Sequence, residues 1–165
     1  MSSMTFTFQS LPTTLDELKA LPEADLSTPF KACALTIAVL NNYENSPEAT
    51  IEMLNFLKGP QPMSEYDKQF LRDRLKGKMY VARSFFDGSS PDNNYQPNVP
   101  YRVTITEGAY AYAQDGYAML DFRSSGADNP RQIKLRRKGT DGPWFLWENF
   151  ALSDIRTPKA DDPWA

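Results

Sequence analysis

Apolar spacing changes from helical to alternating between residues 77 and 100, and this switch constrains the fold more than any other feature. Upstream, helix grammar repeats. "TTLDEL" sets Thr13 or Thr14 ahead of Leu15 and Leu18, with acids in the first turn. "STPFKACALTIAVLNNY" offers Ser27 or Thr28 as a cap, with Pro29 at the first helical position, where its missing N–H is harmless. In "SPEATIEMLNFLKGP", Ser46 caps and Gly59 with Pro60 stops the helix. "SEYDKQFLRDRLKG" carries Ser64 and Asp67 in capping-box spacing and a narrow stripe of Phe70, Leu71 and Leu75. Across residues 32–40 only Thr36 is clearly polar. A helix apolar around most of its circumference is a central one, packed on several sides.

"KMYVARSFF" reads as a strand or a short helix, with extended structure favoured. "DGSSPDNNYQPNVP" follows, a run of turn formers longer than most connections, with Tyr95 as its one aromatic. Downstream the period is two. "YRVTIT", "AYAYA", "YAMLDF", "RQIKLRR" and "PWFLWENF" read as five strands joined by turns. The expected fold is α+β, with N-terminal helices packed on a curved antiparallel sheet of about five strands in a meander. One domain is expected over residues 1–165, with helices in about 12–77, sheet in about 79–150 and a tail over 151–165. A small five-stranded barrel with a helical extension is the alternative topology.

Composition excludes several chemistries. Histidine is absent, which removes serine–histidine and cysteine–histidine nucleophiles and the usual zinc sites. Cys33, the single cysteine, lies in the most apolar stretch and is expected to be a buried packing residue. No metal site and no cofactor are expected. The net charge of −3 argues against nucleic acid or an anionic membrane as partner. No apolar run is long enough to span a bilayer and no secretory leader is visible, so a cytoplasmic protein is expected.

"WFLWENF" puts Trp144, Phe145, Trp147 and Phe150 into seven positions, aromatic on both faces. Either the strand is covered on both sides, or one face lines a concavity of the sheet. Around "RQIKLRRK", Lys134, Arg136 and Arg137 form either an anion site or a solvated face that charge protects from edge pairing. Asp121 and Glu148 each sit within an apolar strand. Facing inward, desolvation would poise them for proton transfer; facing outward, they are ordinary surface acids. Tyr95, Tyr110, Tyr112, Trp144, Trp147 and Trp164 are the candidate ligand or partner surface. Trp164, near the end of the tail, either docks on its own domain or inserts into another protein. Neither "DGSS" nor "SSGADNP" has the strand and helix context of a phosphate loop.

Together, "SEYDKQFLRDRL", "NNYQPNVPY", "RSSGADNPRQIKLR", "WFLWENFALSDIRTP" and "DPWA" resemble a family of small bacterial proteins, mostly from Firmicutes, known as a domain of unknown function. The resemblance covers the chain from about residue 10 onward and implies an intracellular bacterial protein, with no catalytic residues to transfer. Helices followed by a curved sheet also faintly resemble the cone-shaped nuclear transport factor superfamily, an analogy of fold alone. The first functional expectation is a non-catalytic binding or assembly module, its partner another protein or a second copy. The alternative is a cone-type pocket protein that binds or transforms a small molecule. It would use Asp121 or Glu148, with Tyr110, Tyr112 or Tyr117 lining the cavity. Single-stranded nucleic-acid binding through aromatics and Arg136 has less support.

Overall fold

The computed structural model describes residues 2–165. Strand β1 (Ser3–Phe8) opens the chain, followed by helices α1 (Leu15–Lys19), α2 (Pro29–Leu40), α3 (Pro47–Lys58), α4 (Glu65–Leu75) and α5 (Tyr80–Arg83). Strands β2 (Tyr101–Glu107), β3 (Tyr117–Phe122), β4 (Arg131–Arg137) and β5 (Trp144–Asn149) complete an antiparallel sheet in the order β1-β2-β3-β4-β5. The sheet is open: β1 and β5 are its two edges, so the barrel topology is not adopted.

The helix starts follow from their caps. Thr14, Thr28 and Ser46 each accept a bond from the backbone N–H three residues on, and Ser64 with Asp67 forms the full capping box. In α2 every residue except Lys31 is buried. The helix lies across β2, β3, β4 and β5 on one side and against α3 on the other, which explains its nearly uniform apolarity. Its one polar interior group, Thr36, donates its hydroxyl to Ala32 O at 2.8 Å, so nothing is stranded. The sheet meets α2 with the alternate residues of each strand. Val103 and Ile105, Ala118 and Leu120, Ile133 and Leu135, and Leu146 are all buried. Cross-strand register aligns them, pairing Leu120 with Ile133 and Leu135 with Leu146. Each such side chain contributes about 1.5–3 kcal/mol of burial.

Three local expectations are corrected. "KMYVARSFF" contains the short helix Tyr80–Arg83 and then turns, so that Val81, Ala82, Phe85 and Phe86 bury as neighbours rather than alternately. "AYAYA" forms turns between β2 and β3, with Tyr110 85% exposed and Ala111 buried; alanine gives such a segment little to pack as a strand. The fifth strand is instead β1, whose Phe6 and Phe8 face the core and whose Thr5 hydroxyl bonds that of Thr104 at 2.8 Å.

β2 and β3 pair only at Thr106 with Asp121 and Glu107 with Leu120, then part. The segment after α5 fills the gap: Asp87 N–H donates to Arg102 O, and Ser125 N–H to Ser84 O. Ser124 donates its hydroxyl to the buried Ser84 hydroxyl at 2.7 Å. These bonds satisfy groups that the ladder leaves unpaired.

Two stability predictions follow. Gly59 ends α3 at φ +63°, and a methyl group there would overlap the Phe145 ring. Gly59→Ala is expected to cost about 2–3 kcal/mol in urea unfolding, from strain plus overpacking. Gly116→Ala, at φ +81° in open space, should lose only on the order of 1 kcal/mol. Cys33 is fully buried and its thiol is pushed far up by desolvation, with a smaller push from Asp121. A thiol reagent should fail to label it in the native protein and label it completely after denaturation.

Candidate functional site

The β5 stretch owes its aromatic density to different neighbours on each side. Leu146 enters the core, and Phe145 lies against Gly59 at the end of α3. Trp144 is half-buried, and its N–H donates to Leu26 O at 2.9 Å. A bulge opposite Lys134 and Leu135 interrupts the ladder. Trp147 is half-buried on the opposite face from Leu146, edge-on to Tyr117 at 5.8 Å between ring centres. Arg136 caps Trp147 at 4.7 Å and Tyr117 at 5.3 Å, while Lys134 lies 4.7 Å from the Tyr117 ring. Lys134 also donates to Gln114 Oε1 at 2.7 Å. These cations rest on aromatic faces and take part in none of the ion pairs among the described residues, with Glu148 as the cross-strand neighbour of Lys134. Arg137 lies 5.6 Å from the Trp144 ring, so the basic cluster is split between two aromatic supports.

Beside this face runs a groove of about 430 Å³ between α3, α4 and the edge strand β5. Leu54, Lys58, Tyr66, Phe70, Trp147 and Phe150 line it. Tyr66 is 75% exposed and Phe150 43% exposed. Lys58 donates to Trp147 O at 3.4 Å, covering part of the open strand edge. A smaller recess of about 260 Å³ adjoins it and shares Lys58 and Trp147, adding Arg136, Arg137 and Lys138. The result is a half-apolar groove in which Lys58 stands with Asp67 and Glu148, next to a recess that carries Arg136, Arg137 and Lys138.

The other candidates lie elsewhere. Tyr95 is not a surface residue: its side chain is fully buried, its ring is 5.5 Å from that of Tyr80, and its hydroxyl donates to Arg156 O at 2.6 Å. Positive φ angles at Asn94 and Tyr95 fold the long loop back and carry this aromatic inward. Tyr110 and Tyr112 stand on the β2–β3 connection, away from the groove. The Tyr112 hydroxyl is pushed up to about 12 by desolvation and by Glu107. Trp164 is 92% exposed and does not dock on its own fold.

Asp121 accepts a bond from Gln132 Nε2 at 2.8 Å at the mouth of a separate cleft between β2 and β3, whereas Glu148 is exposed on the groove wall. The two carboxylates share no cleft and form no acid–base pair. No cluster of three metal-ligating side chains occurs among the described residues. Of the two alternatives, a covered strand or a concavity beneath the sheet, the core face shows packing: Leu120, Ile133 and Leu135 are fully buried under α2.

Lys58, Tyr66 and Phe150 carry no motif and were missed as site residues. The available signal is on α4, where Tyr66 and Phe70 lie one turn apart beside the core stripe of Leu71 and Leu75. Phe70 was expected to share that core stripe, yet it stays half-exposed beneath Arg74, 4.9 Å from its ring.

No curated protein and no solved structure matches this chain. A model of one family, described as Domain of unknown function (DUF6935), matches residues 10–159. That match spans most of the sequence and agrees with the resemblance carried by its motifs, so the chain belongs to the DUF6935 family.

Proposed function

We propose that this protein is a non-catalytic binding module that receives an aromatic-bearing protein segment in the groove between β5 and the α3–α4 pair. The observation that carries the reading is the groove itself: half apolar, open, walled by exposed Tyr66 and Phe150, and rimmed by Lys58 and Arg136. A segment with acids ahead of an aromatic would match both halves. This chain supplies one in "ADDPWA", where Asp161 and Asp162 precede the exposed Trp164. The occupant is therefore the tail of a second copy.

Burying a tryptophan removes about 150–250 Å² from water, about 4–6 kcal/mol before the entropy of association is subtracted. Such a contact makes a weak dimer, on the order of tens of micromolar or looser. A bacterial cytoplasmic setting is part of the proposal, supported by the family resemblance and by the unpaired, buried Cys33. Catalysis by Asp121 or Glu148 has less support, because the two lie in separate clefts and Glu148 is an exposed surface acid.

Sedimentation across a concentration series tests the reading. Native protein should associate as concentration rises, Trp164→Ala should remain monomeric, and a peptide of residues 158–165 should dissociate the native assembly. Association unchanged by Trp164→Ala, or a native monomer at every concentration, would refute the tail as occupant.

A further inference from the structure

A second cleft, of about 360 Å³, lies where the end of α2 meets α5, and it shares no lining residue with the β5 groove. Thr13, Asn41, Asn42, Glu44, Arg83 and Tyr101 are among its walls. The turn "NNYEN" that follows α2 builds one side. Asn42, 2% exposed, pins the turn by donating to Thr13 O and Thr50 Oγ1, each at 3.3 Å. Asn41 spends its amide donors on Ile37 O at 2.9 Å and Ala82 O at 3.3 Å. Those two bonds fix which way the amide points, and they leave its Oδ1 buried without a partner.

The facing wall supplies the opposite polarity. Arg83, at the end of α5, has a buried Nε that also lacks a partner. None of the four ion pairs among the described residues includes its guanidinium. The chain has 21 acids for 18 basic residues, so Arg83 is not unpaired for want of carboxylates. Burying an unmatched donor and an unmatched acceptor together is costly, and native structures rarely keep such groups without a use. Glu44 stands at the same cleft, with one oxygen taken by Gly77 N–H at 3.1 Å.

We propose that this cleft binds a small organic carboxylate with a hydrogen-bond donor beside its acid group, of which an α-amino acid is the simplest example. The guanidinium fork of Arg83 takes the carboxylate, a pairing that lysine's point charge does not reproduce. The second Glu44 oxygen takes the neighbouring ammonium or hydroxyl, with the buried Asn41 Oδ1 placing further negative polarity behind it. A cation, an acceptor amide and a carboxylate around a single cleft complement a zwitterion, and they match neither a plain anion nor an apolar ligand.

Glycine, L-glutamate and acetate at millimolar concentration are the probes. Glycine or L-glutamate should raise the melting temperature in a concentration-dependent way, and acetate should do so less. Arg83→Met should melt no lower than the native protein without ligand, because it removes an unsatisfied donor. It should bind the amino acid about tenfold or more weakly, as the loss of a charge-assisted bond implies. Nitrogen–proton spectra of the native protein give a readout independent of that variant: the Arg83 Nε–H and Asn41 side-chain signals should move on titration. Amino acids that neither shift the melting temperature nor move those signals would overturn the proposal, as would an Arg83→Met protein that keeps the full response.

Discussion

Burial of α2 on all sides is the constraint from which the rest of the structure follows. Its residues from Ala32 to Leu40 are shielded by four strands below and by α3 beside it. A helix this apolar has no stable place at a surface, so the sheet must cover it and cannot also enclose a hollow. Leu35, Ile37 and Leu40 of α2 share one core cluster with Leu120, Ile133 and Leu135 of the sheet. The sites proposed for binding accordingly lie at the seams around the interior.

Both seams meet the last turn of the same helix. Leu40 contributes to the wall of the β5 groove, and Asn41, the next residue, contributes to the cleft at α5. The two sites ask for different chemistry. The groove is aromatic and lies beside a basic recess, and its proposed occupant is a segment of another chain. The cleft is amide-lined around one unpaired guanidinium and suits a small polar molecule. Because α2 is rigidly held between them, a change in its final turn would be felt at both, while the helix body stays fixed by the sheet.

Much of this architecture was legible in the residues. The helix starts at Thr14, Thr28, Ser46 and Ser64 announce themselves through side chains that serve orphan N–H groups. Alternation in "YRVTIT", "YAMLDF", "RQIKLRR" and "WFLWEN" survives as β2 to β5 because one face of each strand had to meet α2. β1 escaped notice because a short "TFTF" means little until its partner is known, and Thr5 meets Thr104 across 99 positions of chain. "AYAYA" misled for the opposite reason: its alternation was genuine, but its tyrosines had no core to enter. The sites were less visible still. Tyr66, Lys58 and Phe150 converge only through packing of α3, α4 and β5, and nothing in "NNYEN" or "VAR" shows that Asn41 and Arg83 would be left without partners.

α2 and the strands beneath it form one solid, cooperative unit. Native-state hydrogen exchange tests it most directly. Amides of residues 35–40 in α2 and of Leu120 and Ile133 should exchange only through global unfolding, with a common free energy equal to that of the whole protein. Exchange of α2 at distinctly lower free energy, with the strands still protected, would mean a helix that lifts from the sheet and an interior able to open, contrary to the account given for this fold.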